Sequence, residues 1–137
     1  MMKVHELMTS NVDFIRTGDS LQRAAEKMKD DDIGDIPVVL DGDVVGMITD
    51  RDITLRGVAH GLDPKAAKVV DAMTERVVVC KEEDEVQTAA QLMAQHKIRR
   101  LVVENVEGKM TGVVSLGDIA TSLEQNAACD ALRKISK

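Results

Sequence analysis

Two short stretches of the chain carry a hydroxyl residue followed three positions later by a carboxylate: Thr49 with Asp52, and Ser115 with Asp118. This spacing is typical of a capping box, in which the two side chains satisfy the free N–H groups at a helix start. The same geometry suits a nucleotide, because a helix start attracts phosphate and an acidic side chain can accept hydrogen bonds from both ribose hydroxyls. The motif is short, so both interpretations stay open. They are also compatible with each other.

The motif occurs twice because the chain repeats itself. Met8-Thr9 recurs as Met73-Thr74 at an offset of 65, and the same offset continues through the following region. One residue inserted near Asn105 changes the offset to 66, after which Gly46 matches Gly112. A register kept over this distance with a single gap indicates a tandem duplication.

Each copy is predicted to contain the same five elements in the order β-α-β-β-α. Apolar residues at Leu21, Ala24, Ala25 and Met28 follow the spacing of one helix face, and Asp19 or Ser20 can cap its start. In the first copy the elements are expected at 13–16, 20–32, 36–40, 44–48 and 50–58. The corresponding helices and hairpin strands of the second copy are expected at 84–97, 101–105, 109–114 and 116–124.

One such unit is too small to bury both faces of its helices alone. The predicted fold is therefore α/β (α+β): two tandem β-α-β-β-α repeats packed sheet to sheet about a pseudo-twofold axis. Residues 1–59 form the first repeat and 69–124 the second, with 60–68 as a linker. The tail, 125–137, has no predicted place in this fold.

Composition excludes several classes of function. The net charge is −6 and Phe14 is the only aromatic residue, which argues against a nucleic-acid partner. No stretch has the roughly 18 apolar residues needed to cross a bilayer, so no membrane association is expected. Cys80 and Cys129 lie far apart without metal-like spacing, and with no leader pattern at the start we expect a cytoplasmic protein. No nucleophile or metal set accompanies the two carboxylates, so we expect no enzyme activity.

The repeated pattern resembles a pair of CBS domains, the cystathionine β-synthase type repeat that associates in tandem as a Bateman module. The matching motifs are Val4-x-x-x-Met8-Thr9, Ile36-Pro37-Val38-Val39, Gly46-x-Ile48-Thr49-x-x-Asp52-Ile53, and their partners Val69-x-x-x-Met73-Thr74, Leu101-Val102-Val103 and Gly112-x-Val114-Ser115-x-x-Asp118-Ile119. The resemblance covers residues 4–124 and is closest in layout to small stand-alone CBS-pair proteins of bacteria and archaea. It implies a regulatory, signal-transducing module that requires no cofactor and binds an adenosine derivative: AMP, ADP, ATP, NAD(H) or S-adenosylmethionine.

The resemblance further implies two ligand sites in the cleft between the repeats, each built from both copies. One site would combine Thr9, Val12, Phe14, Ile33, Ile36 and Pro37 with Ser115 and Asp118. The other would combine Thr74, Val77, Val79, Ile98, Arg100 and Leu101 with Thr49, Arg51 and Asp52. It also implies a homodimer, with an unidentified protein as a further partner. The alternative is a ligand-free interaction or dimerisation module that acts through its helical faces.

Overall fold

In the computed structural model, residues 2–75, 77–122 and 134–135 are described. Most of the tail 125–137, with Cys129, lies outside these ranges, as do residues 123–124 of the last predicted helix. The chain forms two compact units: the first comprises residues 13–77, and the second comprises residues 1–12 together with 78–137. The unit boundaries therefore assign the first twelve residues to the unit that holds the second repeat.

The first unit contains a three-stranded sheet and its helices. Its elements are β1 (Ile15–Arg16), α1 (Leu21–Asp31), β2 (Asp35–Leu40), β3 (Asp43–Thr49) and α2 (Asp50–Asp52). The sheet order is β1-β2-β3, with β1 parallel and β3 antiparallel to β2. The predicted element order is confirmed in this copy.

Helix α1 has a capping residue at each end, Ser20 before its first turn and Asp32 after its last. The Ser20 hydroxyl accepts a hydrogen bond from the Arg23 N–H at 3.0 Å, which satisfies one free donor of the first turn. The helix ends at Asp32, whose backbone is left-handed at φ 53°. Leu21, Ala24 and Met28 are buried on one face, as their spacing predicts.

The β2–β3 hairpin turns through two residues with positive φ, Asp41 at 52° and Gly42 at 86°. Positive φ at both central positions is the mark of a type I′ turn, whose twist matches that of paired strands. It sets the register in which Leu40 lies opposite Asp43. A tight turn thus joins the two strands expected at 36–40 and 44–48.

The helical stretch after β3 is not a uniform α-helix. After Asp50–Asp52 it continues as a π-helical turn over Ile53–Gly57 and a 3-10 turn over Val58–His60. Gly57 is buried, and a Cβ there would lie 3.0 Å from the Leu21 side chain. A glycine therefore lets this stretch approach α1 closely.

The second unit repeats this plan. Its elements are β4 (Val79–Lys81), α3 (Val86–His96), β5 (Arg100–Glu104), β6 (Met110–Ser115) and α4 (Leu116–Ala120). The sheet order is β4-β5-β6, with the same parallel and antiparallel pairings. The fold-class prediction, a mixed α/β chain with two matching three-stranded sheets, is confirmed.

Each unit completes its core with a segment from the other repeat. Val4, in the first repeat by sequence, is fully buried in the core of the second unit, and Val69 is fully buried in the core of the first. Their N–H groups donate to the carbonyls of Asp84 and Asp19, both at 2.8 Å. The segment expected as a linker, 60–68, belongs to the first unit, where the Ala67 carbonyl accepts the Leu21 N–H at 3.0 Å.

Among residues 2–75, 77–122 and 134–135, no helix combines the length and apolar character that crossing a bilayer requires.

Candidate functional site

The Met-Thr segments lie along the third strand of each sheet. In the first unit Thr74 pairs with Met47 through two backbone hydrogen bonds of 2.9 and 2.8 Å. In the second unit Thr9 pairs with Val113 in the same way, at 2.9 and 3.0 Å. Each segment thus extends the outer edge of a three-stranded sheet, and each sheet receives the segment of the other repeat.

Glycine makes this pairing possible. A Cβ on Gly46 would lie 2.7 Å from the Thr74 carbonyl oxygen, and one on Gly112 would lie 2.8 Å from the carbonyl oxygen of Thr9. Contacts that short do not occur in real structures, so a larger residue would push the Met-Thr segment away. A glycine inside an apolar strand is a signal for close backbone approach, but the sequence interpretation did not use it.

Thr49 and Asp52 form the predicted capping box at the start of α2. The Thr49 hydroxyl accepts the Asp52 N–H at 2.9 Å, and the Asp52 carboxylate accepts the Thr49 N–H at 3.1 Å. Asp52 is only 9% exposed. Among the residues that the structure describes, it is the one charged residue that is buried.

Asp52 has a further contact that a cap does not require. The Thr74 hydroxyl lies 3.3 Å from each of the two carboxylate oxygens of Asp52. A hydroxyl has one proton, so it can donate to only one of them at a time. Both distances exceed the usual range for an O–H···O bond, and this contact is therefore weak.

The backbone donors at the start of α2 are already used. The N–H groups of Asp50, Arg51 and Asp52 donate to the Gly34 carbonyl, the Asp50 carboxylate and the Thr49 hydroxyl, at 2.9, 2.8 and 2.9 Å. The expectation that this helix start offers free N–H groups to a phosphate is therefore wrong. The exposed Arg51 side chain is the cationic group at this position.

Ser115 and Asp118 form the matching box in the second unit. The Asp118 carboxylate accepts the Ser115 N–H at 2.8 Å, and the Ser115 hydroxyl accepts the Asp118 N–H at 3.0 Å. Asp118 is half-buried, and Thr9 is exposed. Among the described residues, Thr9 makes no side-chain hydrogen bond to Asp118, in contrast to Thr74 and Asp52.

Each of the two predicted sets of site residues is divided between the two units. Beside Thr49, Arg51, Asp52 and Thr74, the first unit holds Phe14, Ile33, Ile36, Pro37 and Val77. The second unit holds Val12, Val79, Ile98, Arg100 and Leu101 beside Thr9, Ser115 and Asp118.

The side chains of these residues differ in accessibility. Ile36, Pro37 and Leu101 are buried, Phe14 is exposed, and Val12, Ile33, Val77, Val79, Ile98 and Arg100 are half-buried. Ile36 and Pro37 lie in β2, and Arg100 and Leu101 lie in β5. Arg100 pairs with Ser115 across the sheet, which places this guanidinium-bearing residue beside the start of α4.

Other reactive groups do not assemble into a site in the described ranges. No cluster of three or more His, Cys, Asp or Glu side chains suited to a metal ion is present among the residues that the structure describes. Cys80 is buried in the second core. Burial, reinforced by the charge of Asp84, raises the pKa of its thiol to about 12.

Comparison with known proteins supplies the family. The model of the CBS domain matches residues 4–57 and 69–125. The chain belongs to the CBS domain family. YlbB of Bacillus subtilis, an uncharacterised protein, is 43% identical over 140 residues, which span 100% of this chain and 93% of YlbB.

Solved structures of CBS proteins share the architecture. Hypoxic Response Protein I, whose crystal structure holds two coordinated zinc ions, is 32% identical with a TM-score of 0.81 over 89% of this chain and 99% of its own. A CBS domain protein from Pyrobaculum aerophilum, complexed with AMP, has a TM-score of 0.78 at 22% identity, covering 98% of both chains. At that identity the second likeness concerns the fold alone.

Proposed function

We propose that this CBS-pair protein is a non-catalytic regulatory module that binds an adenosine derivative, with the ribose held by Asp52 and, in the second unit, by Asp118. The observation that carries the proposal is the surroundings of the Asp52 carboxylate. It is buried, yet it receives one backbone hydrogen bond and one long contact from a hydroxyl.

A carboxylate can accept about four hydrogen bonds, and burial makes each missing one costly. In the described part of the chain, Asp52 has two partners, Thr49 and Thr74. Acceptor capacity therefore remains for donors from a bound molecule. Two neighbouring hydroxyls of a ribose are suited to a carboxylate in this way, and hydrogen bonds to an ionised acceptor are the stronger ones.

The residues around the carboxylate fit the rest of a nucleotide. Arg51, the residue before Asp52, is exposed and supplies a cation for phosphate oxygens. Val77, an apolar residue of the set predicted with Asp52, lies in the same unit and would provide a contact for the base. The Pyrobaculum aerophilum protein with the same fold is complexed with AMP, which supports adenosine compounds as the first ligands to test.

Titration calorimetry with AMP, ADP, ATP, NAD and S-adenosylmethionine tests the proposal on the full chain. We expect binding of at least one compound, and a loss of about tenfold or more in affinity for Asp52→Asn at one site and Asp118→Asn at the other. Asparagine keeps an oxygen that can cap the Thr49 N–H but loses the charge. Asp30→Asn, which removes an exposed carboxylate from α1, is the matched control.

A second function is favoured by exposed apolar residues on the helical stretch after β3. Leu55 is 45% exposed and Val58 is 65% exposed, and both lie on a surface that a second copy of the chain could cover. Failure of all five compounds to bind, together with a dimer that Leu55→Asp and Val58→Asp dissociate in sedimentation, would replace the sensor with this interaction module.

A further inference from the structure

Two side chains of one helical stretch contact the Met73-Thr74 dipeptide. The Asp52 carboxylate lies 3.3 Å from the Thr74 hydroxyl, which donates to it. The Arg56 guanidinium donates through Nη1 to the Met73 carbonyl at 3.0 Å. Asp52 and Arg56 are four positions apart, so they lie on the same side of the stretch. Together they fix the dipeptide from one side, while Met47 pairs with it from the strand side.

The Arg56 contact is the stronger of the two. Its N–H···O distance lies within the normal range, and its donor is charged, whereas both Thr74 to Asp52 distances are long. The Met73 carbonyl belongs to the peptide bond that precedes Thr74. Holding that carbonyl therefore fixes where the Thr74 hydroxyl lies relative to the carboxylate.

Among the described residues of the second unit, the position equivalent to Arg56 does not repeat this arrangement. The residue that corresponds to Arg56, at the offset of 66, is Ser122, whose hydroxyl donates to the Ile119 carbonyl of the preceding helix α4 at 2.6 Å. A serine is also too short to repeat the reach of an arginine. In keeping with this, Thr9 is exposed whereas Thr74 is half-buried.

We propose that Arg56 is a positioning residue that preorganises the Asp52 site by holding the Met73 carbonyl, and that it makes this site differ in affinity from the Asp118 site. The second half of the inference rests on the proposed function. A ribose hydroxyl that approaches Asp52 then meets the carboxylate with the Met73-Thr74 segment already in place. A site held in this way loses less conformational freedom on binding.

Amide hydrogen exchange on the ligand-free full chain tests the positioning role directly. We expect Arg56→Ala to speed exchange at the paired Thr74 and Met47 amides roughly tenfold, the size that loss of one charge-assisted hydrogen bond implies. Thr9 and Val113, the equivalent pair, should stay unchanged. Arg23→Ala removes the same charge from an exposed position on α1 and should alter neither pair. Equal protection of Thr74 in Arg56→Ala and the wild type would overturn the inference.

Binding of AMP then tests the effect on the site. Arg56→Ala should weaken binding at the Asp52 site by about tenfold and leave the Asp118 site unchanged. In a Thr74→Val background the same substitution should have a clearly different effect, since residues acting through each other are not additive. Additive losses, or a general fall in stability with intact Thr74 protection, would refute positioning.

The two tests also separate the proposals. Absence of AMP binding by the wild type overturns the proposed ligand and the affinity difference, while the exchange result still decides the positioning role. Arg56→Lys guards against loss of folding. A lysine keeps the charge and can still donate to a carbonyl, so protection of Thr74 between that of the wild type and Arg56→Ala is expected.

Discussion

The close approach of the Met-Thr segment to β3 makes Gly46→Ala a demanding perturbation. The new methyl would lie 2.7 Å from the Thr74 carbonyl oxygen and 2.9 Å from the Met73 sulfur. The sulfur belongs to a flexible side chain and can move, but the oxygen is backbone. Relief therefore requires the segment to withdraw from the strand and to lose its two hydrogen bonds with Met47.

The cost follows from these contacts. Each backbone hydrogen bond is worth about 1 kcal/mol net, and inserting a methyl into packed space costs about 1–3 kcal/mol. With two such bonds lost, we expect Gly46→Ala to lower the free energy of unfolding of the first unit by about 3–5 kcal/mol. Gly112→Ala should do the same in the second unit, because its methyl would lie 2.8 Å from the Thr9 carbonyl oxygen.

Urea unfolding followed by far-ultraviolet circular dichroism is the suitable assay, since the chain has neither Trp nor Tyr. Gly18→Ala is the matched control, because a Cβ there would have no heavy atom within 4 Å. Its unfolding free energy should stay within about 0.5 kcal/mol of the wild type. Equal curves for Gly46→Ala and Gly18→Ala would show that the segment does not pair with β3.

Two further predictions concern a helix cap and a buried thiol. Ser20→Ala should cost about 1 kcal/mol of stability in the same urea assay, since the hydroxyl accepts the Arg23 N–H; no loss would argue against this cap. In a Cys129→Ser background, Cys80 should react with a thiol reagent at pH 8 only after unfolding. Because its pKa is about 12 in the folded chain against 9.0 as the usual value, stability should fall as pH rises from about 9 toward 12. A Cys80→Ala variant should lack this loss of stability at high pH. An identical pH dependence of stability in both proteins would refute the raised pKa of Cys80.

Local elements were predictable because their signals are local. The apolar spacing of Leu21, Ala24 and Met28 predicted α1, and Asp41-Gly42-Asp43 is a tight-turn signal between the two hairpin strands. The interruption of the helix after Asp52 was not predictable in this way. In this stretch Gly57 lies close to the Leu21 side chain of another helix, and periodicity within one segment carries no information on such packing.

Only part of the exchange of segments between the repeats could be predicted from the sequence. The resemblance implied that sites combine residues of both copies, and the structure does bring Thr74 of the second repeat to Asp52 of the first. Residue patterns alone assigned 1–59 and 69–124 to separate repeats. The segment before each Met-Thr pair has one short helical turn, which is too short for a periodic pattern to indicate which sheet it joins. The glycine at the centre of each third strand was the one sequence feature that indicated the pairing.

The two interpretations of the Thr-x-x-Asp motif can now be weighed on geometry. A cap needs only the bonds between Thr49 and Asp52, and Asp118 shows that the same cap forms with a half-buried carboxylate. Capping therefore does not explain why Asp52 is buried against Thr74 from the other repeat. A buried carboxylate with a weak hydroxyl contact costs folding energy, and a bound diol would recover it. Replacing Thr74 with valine removes that contact without touching the cap. It should leave the capping bonds intact and make one more acceptor position of Asp52 accessible to a ribose hydroxyl.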